Sequence, residues 1–181
     1  EDAERCILSA AGVSQCVMAV EDVGRSSLLK NLTFSGGSTL TAGGLELDSS
    51  GIRVEDCIIS DNYGYEYGAV RVRGGAPIFE RCAIRKNTGT YGGGIKAEAS
   101  AAVFMDSCQI VQNSCGSQGA AVYANYSSAY RLFNCLVANN SIIDSQAAVR
   151  YASRVVMRID SCTIADNAVG ILLTGTSETK I

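Results

Sequence analysis

The sequence predicts an all-β chain, a right-handed parallel β-helix of about seven stacked coils of roughly 26 residues. Three observations predict it: a column marked by cysteine that recurs at near-constant spacing, apolar columns that keep pace with it, and an asparagine column at a fixed offset. Self-similarity at a fixed period marks a solenoid, in which one coil cannot bury its own apolar side and stability comes from stacked neighbours.

The cysteine column runs Cys57, Cys82, Cys108, Cys135 and Cys162, in steps of 25, 26, 27 and 27. Stepping back reaches Leu32 and then Cys6, so seven anchors cover the chain. Three residues before the anchor stand Leu29, Val54, Phe79, Met105, Leu132 and Ile159. Two residues after it stand Leu8, Phe34, Ile59, Ile84, Ile110, Val137 and Ile164. A later column holds Leu45, Val70, Ile95, Val122 and Val149, each led by small residues, as in Gly93-Gly94-Ile95 and Ala120-Ala121-Val122. The apolar residues come in short alternating bursts separated by Gly and Ser, which is strand patterning rather than the 3.6-residue spacing of a helix. Two or three short strands per coil are expected, each pairing in parallel with its copy ~4.8 Å away.

Asn62, Asn87, Asn113, Asn140 and Asn167 sit five residues after the anchors. Asn tolerates the left-handed conformation of a tight corner, and stacked copies can pass amide hydrogen bonds along a ladder. The Gly and Ala before the next strand suit a corner where backbones approach closely. The whole of 1–181 is expected to be one β-helix domain, with 1–28 an atypical first coil and 29–175 the regular repeats. No capping element follows Ile171-Leu172-Leu173. The domain is therefore expected to be a segment of a larger protein, or else copies stack end to end into a filament through unpaired edges.

Charged residues are only 18 % of the chain and the net charge is −3, which gives no reason to expect nucleic acid. No apolar run approaches the ~20 residues of a membrane span, and no signal peptide is visible. Nothing calls for a cofactor, and with no His and no C-x-x-C pair no metal site is expected.

Paired signatures, an apolar residue then x-x-Asn followed by a Gly-Gly-Ala-Ile-like run, recur along the chain. They read Ile59-Ser60-Asp61-Asn62 with Gly68-Ala69-Val70, and Ile84-Arg85-Lys86-Asn87 with Gly93-Gly94-Ile95. They continue as Ile110-Val111-Gln112-Asn113, Val137-Ala138-Asn139-Asn140 and Ile164-Ala165-Asp166-Asn167. This pattern resembles the repeats of polymorphic outer membrane proteins, over about 29–175. The resemblance implies a secreted or surface-displayed β-helix, often an adhesin or passenger domain. The first apolar residue departs from that family's usual Phe except at Phe34, and the second signature is degenerate.

Two accounts of the cysteine column stay open. Buried free thiols act as small apolar fillers, whereas disulfides between coils would join Cα atoms ~4.8 Å apart, inside the permitted range. Cys16 and Cys115 lie off the column; Cys6 and Cys16 could pair at the first coil, and Cys115 is expected to be exposed in a corner loop. Three N-glycosylation triplets begin at Asn31, Asn125 and Asn139, all at expected exterior positions, and favour an extracellular or cell-surface location.

Acids share the column two residues before the anchor: Glu55, Glu80, Asp106 and Asp160, with Phe133 interrupting. Acids one coil apart stand too close for an inverting hydrolase pair at ~6.5–9.5 Å. With Arg53, Arg131 and Arg158 two positions away, the column suits cross-strand charge balance, or alternatively a calcium-dependent polysaccharide lyase. Arg71, Lys96 and Arg150 form an outward column that Tyr123 completes, with Arg73 nearby. A flat basic strip with a Tyr is a candidate footprint for an anionic polysaccharide or other partner. Tyr63, Tyr65, Tyr67 and Tyr91 gather at adjoining corners, as a contact patch or a cover for the Gly-rich turn. The expected function is non-enzymatic, a structural or adhesive surface module whose partners are other segments or copies of its assembly and a glycan.

Overall fold

Three left-handed kinks per coil shape the backbone. One falls just before each anchor, at Asn31, Asp56, Arg81, Ser107, Asn134 and Ser161, with φ between 51° and 56°. A second falls just before each ladder asparagine, at Asp61, Lys86, Gln112, Asn139 and Asp166. The third follows the four-residue strand that begins at the Leu45, Val70, Ile95 and Val122 column, at Ser49, Gly74 and Gly75, Ala99 and Ser100, or Tyr126 and Ser127. Between kinks the chain is extended, so each coil is a short polygon of strands.

The computed structural model describes residues 6–21, 23–142, 149–152, 155–167, 171–174 and 178–180, the last two segments, Val20 and 150–152 by backbone alone. Its strands form four parallel sheets running along the solenoid. The anchor sheet holds Cys6–Ser9, Leu32–Ser35, Ile58–Ser60, Ala83–Arg85, Gln109–Val111, Leu136–Ala138 and Thr163–Ala165, in that spatial order. The corner sheet follows it in each coil, with Ser38–Thr39, Tyr63–Gly64, Thr88–Tyr91, Ser114–Gln118 and Ser141–Ile142. Next comes the broad sheet, Val17–Val20, Leu45–Asp48, Val70–Arg73, Ile95–Glu98, Val122–Asn125, Val149–Ala152 and Ile171–Thr174. The acid-column sheet closes the coil, with Leu28–Lys30, Arg53–Glu55, Ile78–Glu80, Ala102–Asp106, Ala129–Phe133, Val156–Asp160 and Glu178–Lys180. Seven rungs make six complete turns. The corner sheet exceeds the two or three strands per coil that the pattern predicts, because its strands are rich in Gly, Ser and Thr and carry no apolar alternation.

The registers are those of the sequence columns. Phe34 pairs with Ile59, Ile59 with Ile84, Ile84 with Ile110, and Ile110 with Val137. Val54, Phe79, Met105 and Leu132 likewise stand in line. These side chains are fully buried and converge on one core that runs the length of the solenoid. Burying a side chain of this size contributes ~1.5–3 kcal/mol, which offsets the entropy of ordering each strand.

The asparagines form a continuous ladder. Asn62 donates from its backbone N and from Nδ2 to Oδ1 of Asn87, both at 3.0 Å. Asn87 does the same to Asn113, Asn113 to Asn140, and Asn140 to Asn167, at 2.9–3.1 Å. Each Nδ2 also donates to a carbonyl of the preceding coil, such as Ile59 from Asn87 and Ile84 from Asn113. The expectation that these asparagines adopt the left-handed conformation is corrected: the residue before each one does, and the asparagine side chain satisfies backbone N–H groups that the kink leaves unpaired. Close approach at the corner explains the small residues: a Cβ on Gly68 would collide with the carbonyl of Gly93.

No disulfide joins any of the eight cysteines, so the disulfide alternatives, Cys6 with Cys16 included, are not realised. Cys57, Cys82, Cys108 and Cys135 are buried, Cys162 half-buried, and Cys6 exposed on the first rung rather than inward in the core. Each column thiol donates to the carbonyl two residues back, as from Cys82 to Glu80 at 3.3 Å and from Cys135 to Phe133 at 3.2 Å. Hydrogen bonds from Cys135 and Cys82 and burial push the Cys108 thiol far above its ordinary range, which keeps it protonated. Cys115 is buried in Ser114–Gln118, not exposed, because the corner is a strand there.

Candidate functional site: a tyrosine-lined groove

Strand alternation sends Val70 and Val72 inward and Arg71 outward, and parallel pairing stacks Glu46, Arg71, Lys96 and Tyr123 on the outer face of the broad sheet. The corner before that sheet carries Tyr67 in one coil and Tyr91 in the next, with Gln118 in register with Tyr91. The left-handed turn after it presents Tyr126. Together Tyr67, Tyr91, Lys96, Glu98, Gln118, Tyr123, Asn125 and Tyr126 line an open groove of about 420 Å³.

Lys96 is 3 % exposed, unusual for an outward residue on a surface sheet. Its Nζ lies 4.1 Å from the centroid of the Tyr67 ring and 4.9 Å from that of Tyr123, and donates to Glu98 at 3.1 Å. Two ring faces and a carboxylate offset the desolvation of the ammonium. Burial nevertheless holds Lys96 below its ordinary value, against the pull of Glu98. Arg71 bridges two coils: it donates to Glu46 at 2.6 Å and from Nε to Glu98 at 2.9 Å, with its guanidinium 5.5 Å from the Tyr67 ring centroid. Thr41 donates its hydroxyl to Glu46 at 2.6 Å. Burial works to raise the Glu98 carboxyl, but Lys96 and Arg71 outweigh it and hold it below the ordinary value. Burial, Glu98 and Glu66 push the Tyr67 phenol up, so it stays protonated. The Tyr91 and Tyr123 rings stack with centroids 6.2 Å apart.

The expectation of a flat basic strip is corrected on these grounds. The structure brings Arg71, Lys96 and Tyr123 together, but Glu46 and Glu98 neutralise both cations. Arg73 is exposed and faces Asp48 at 3.5 Å, apart from the groove. The Arg150 backbone pairs with Tyr123 as the column requires, and its side chain lies outside the described residues. Tyr63 and Tyr65 are exposed at the neighbouring corner, whereas Tyr67 is in the groove itself. Column counting passed over Glu46, Glu98, Gln118, Asn125 and Tyr126. Glu46 was findable, since it precedes Arg71 by one coil.

Of the glycosylation triplets, Asn31 and Asn139 are exposed. Asn125 is corrected: its side chain is 9 % exposed and forms part of the groove, because the residue ends a strand whose neighbours are all buried.

The acid column is an ion-pair network. Glu55, 5 % exposed, pairs with Lys30 at 3.2 Å, with Arg53, and with Arg81 at 3.5 Å. Arg53 and Arg81 each also reach Glu80, Arg81 pairs with Asp56 at 2.7 Å, and Arg158 with Asp160 at 2.5 Å. The hydrogen bond from Arg81 draws the Asp56 carboxyl below its usual value. Arg81 was absent from the expected set because it sits at the left-handed kink, off the strand pattern. Among the described residues no group of three or more Cys, Asp or Glu is placed to hold a metal ion, and no helix is long and apolar enough to cross a membrane.

Comparison with curated proteins and with solved structures finds no match to this chain. Comparison with family models matches residues 19–181 to the right-handed β-helix region. That match spans most of the chain and agrees with the sheet order and the cross-coil registers: the chain belongs to the right-handed β-helix family.

Proposed function

We propose that this chain is a non-enzymatic structural and adhesive module of an extracellular or cell-surface protein, whose rigid solenoid presents the tyrosine-lined groove to a glycan. The observation that carries this reading is the groove itself. Four tyrosines from three successive coils line one concavity. Aromatic faces bind the C–H face of a pyranose ring, and the phenol edges supply polar contacts. The resemblance to polymorphic outer membrane protein repeats supports a surface role. The ion-paired state of Glu55 and Glu80 supports a structural role for the acid column over a lyase.

The test is affinity electrophoresis and calorimetry on a panel of soluble polysaccharides. Tyr126, 65 % exposed, is the variant of choice because its loss disturbs no packing. Tyr126→Ala is expected to weaken binding about tenfold, the equivalent of ~1.4 kcal/mol of lost stacking. Product release from a uronate polymer in the presence of calcium would overturn the non-enzymatic assignment. Binding unaffected by Tyr126→Ala would move the contact elsewhere.

A further inference from the structure

We propose that the groove selects an uncharged glycan over an anionic one, and that Asn125 helps to hold it by accepting a hydroxyl hydrogen bond. The inference rests on the glycan-contact reading and adds the class of sugar.

Charge balance is the first argument. Two cations, Arg71 and Lys96, face two anions, Glu46 and Glu98, at ion-pair distance. A uronate carboxylate would have to draw Lys96 away from Glu98 and from two tyrosine faces, and would meet the Glu98 carboxylate on the way. An ammonium-bearing sugar would meet Lys96 and Arg71 in the same place. Neither ligand gains from a groove whose charges are already matched, because desolvating a charge without a new partner costs more than it returns.

The second argument is independent of charge. Asn125 lines the groove and its side chain is nine-tenths buried, yet its Oδ1 has no hydrogen-bond partner. An unmet buried acceptor costs ~1–3 kcal/mol and calls for a donor. A sugar hydroxyl can supply that donor on a neutral or a uronate ring alike, so this contact adds affinity while the charge balance sets the preference. Tyr91, 36 % exposed and stacked on the buried Tyr123, offers the apolar face against which such a ring would lie. The volume falls within the ~300–1,000 Å³ typical of small-ligand sites.

The experiment is calorimetric titration of the whole chain with three oligosaccharides of equal length: a neutral β-glucan, an oligogalacturonate and a chitosan fragment, each at low and high salt. The neutral oligomer is expected to bind at least tenfold tighter than either charged one, with affinity independent of salt. Asn125→Ala is expected to weaken it about tenfold while melting as the wild type does, since the Oδ1 has no partner in the free protein to lose. Tighter, salt-dependent binding of oligogalacturonate would overturn the selectivity and leave the glycan-contact reading standing. Unchanged affinity in Asn125→Ala would overturn the role of that residue. Failure of all three oligomers to bind, with Tyr126→Ala also indistinguishable from wild type, would sink both.

Discussion

Truncating Asn113 to alanine would strand donors and acceptors on both sides of the coil. Its Oδ1 accepts from the N and Nδ2 of Asn87, and its own Nδ2 donates to Ile84 and Asn140, all in a site with no solvent access. Each orphaned buried group costs ~1–3 kcal/mol, so Asn113→Ala is expected to lose about 3 kcal/mol or more in urea unfolding. Tyr130 presents the opposite case. Its ring is buried in the core and its hydroxyl has no hydrogen-bond partner. Tyr130→Phe is expected to raise stability by ~1 kcal/mol, and a lowered melting temperature would contradict that account. The column of asparagines was visible in the sequence because one residue type recurs at one offset. The kinks were not, because Asp61, Lys86, Gln112 and Asn139 share a backbone conformation and no side-chain chemistry. The physical demand there is on φ, and the hydrogen bonds from the neighbouring asparagine meet it whatever side chain points outward.

On the outer face of the broad sheet, stability depends on pairs that cross from coil to coil. Glu98 serves both Lys96 and Arg71, and its folded-state pKa lies below the ordinary 4.5. A depressed carboxylate pKa adds stability that is complete above the unfolded value and is lost as pH falls through the folded value. The wild type should therefore lose stability steeply below about pH 4.5. Glu98→Gln should be less stable at neutral pH, by about 3 kcal/mol, because it leaves buried Lys96 without its carboxylate. The variant should also show a flatter acid limb in unfolding monitored by circular dichroism. An acid limb identical to wild type would mean that the pair carries none of this dependence. The broad-sheet register was legible from the step between Val70 and Ile95, and the same step aligns Arg71 with Lys96. The neutralising acids were harder to see. Glu46 stands in the coil before Arg71 and Glu98 in the coil after it, so their shared hold on Arg71 exists only once the strands are stacked. The Tyr126 side of the groove left no signal either, since it lies in a turn after the strand where no period applies.

A solenoid is a sum of equivalent layers, each contacting its neighbours alone, and this predicts how the whole molecule responds to the loss of one layer. Removing residues 82–107 joins Arg81 to Cys108, so an anchor follows a left-handed kink as it does in every coil. Phe79 would then pair with Leu132 in place of Met105, Ile59 would pair with Ile110, and Asn62 would donate to Asn113 in place of Asn87. The shortened chain is expected to fold into a β-helix with one rung fewer, a strand-type circular dichroism spectrum and a cooperative, somewhat lower melting transition. Deleting only 82–94 removes Ala83–Arg85 and Thr88–Tyr91 and places Ile95 after Arg81, where an anchor belongs, so every later side chain falls out of register and this chain is expected not to fold. The whole-coil deletion also removes Tyr91, Lys96 and Glu98, three of the eight residues that line the groove, while leaving the scaffold intact. It should therefore retain the fold and lose the glycan. Folding of both deletions alike would show that cross-coil register is not what holds the molecule together; a whole-coil deletion that folds and still binds would place the contact on another face of the solenoid.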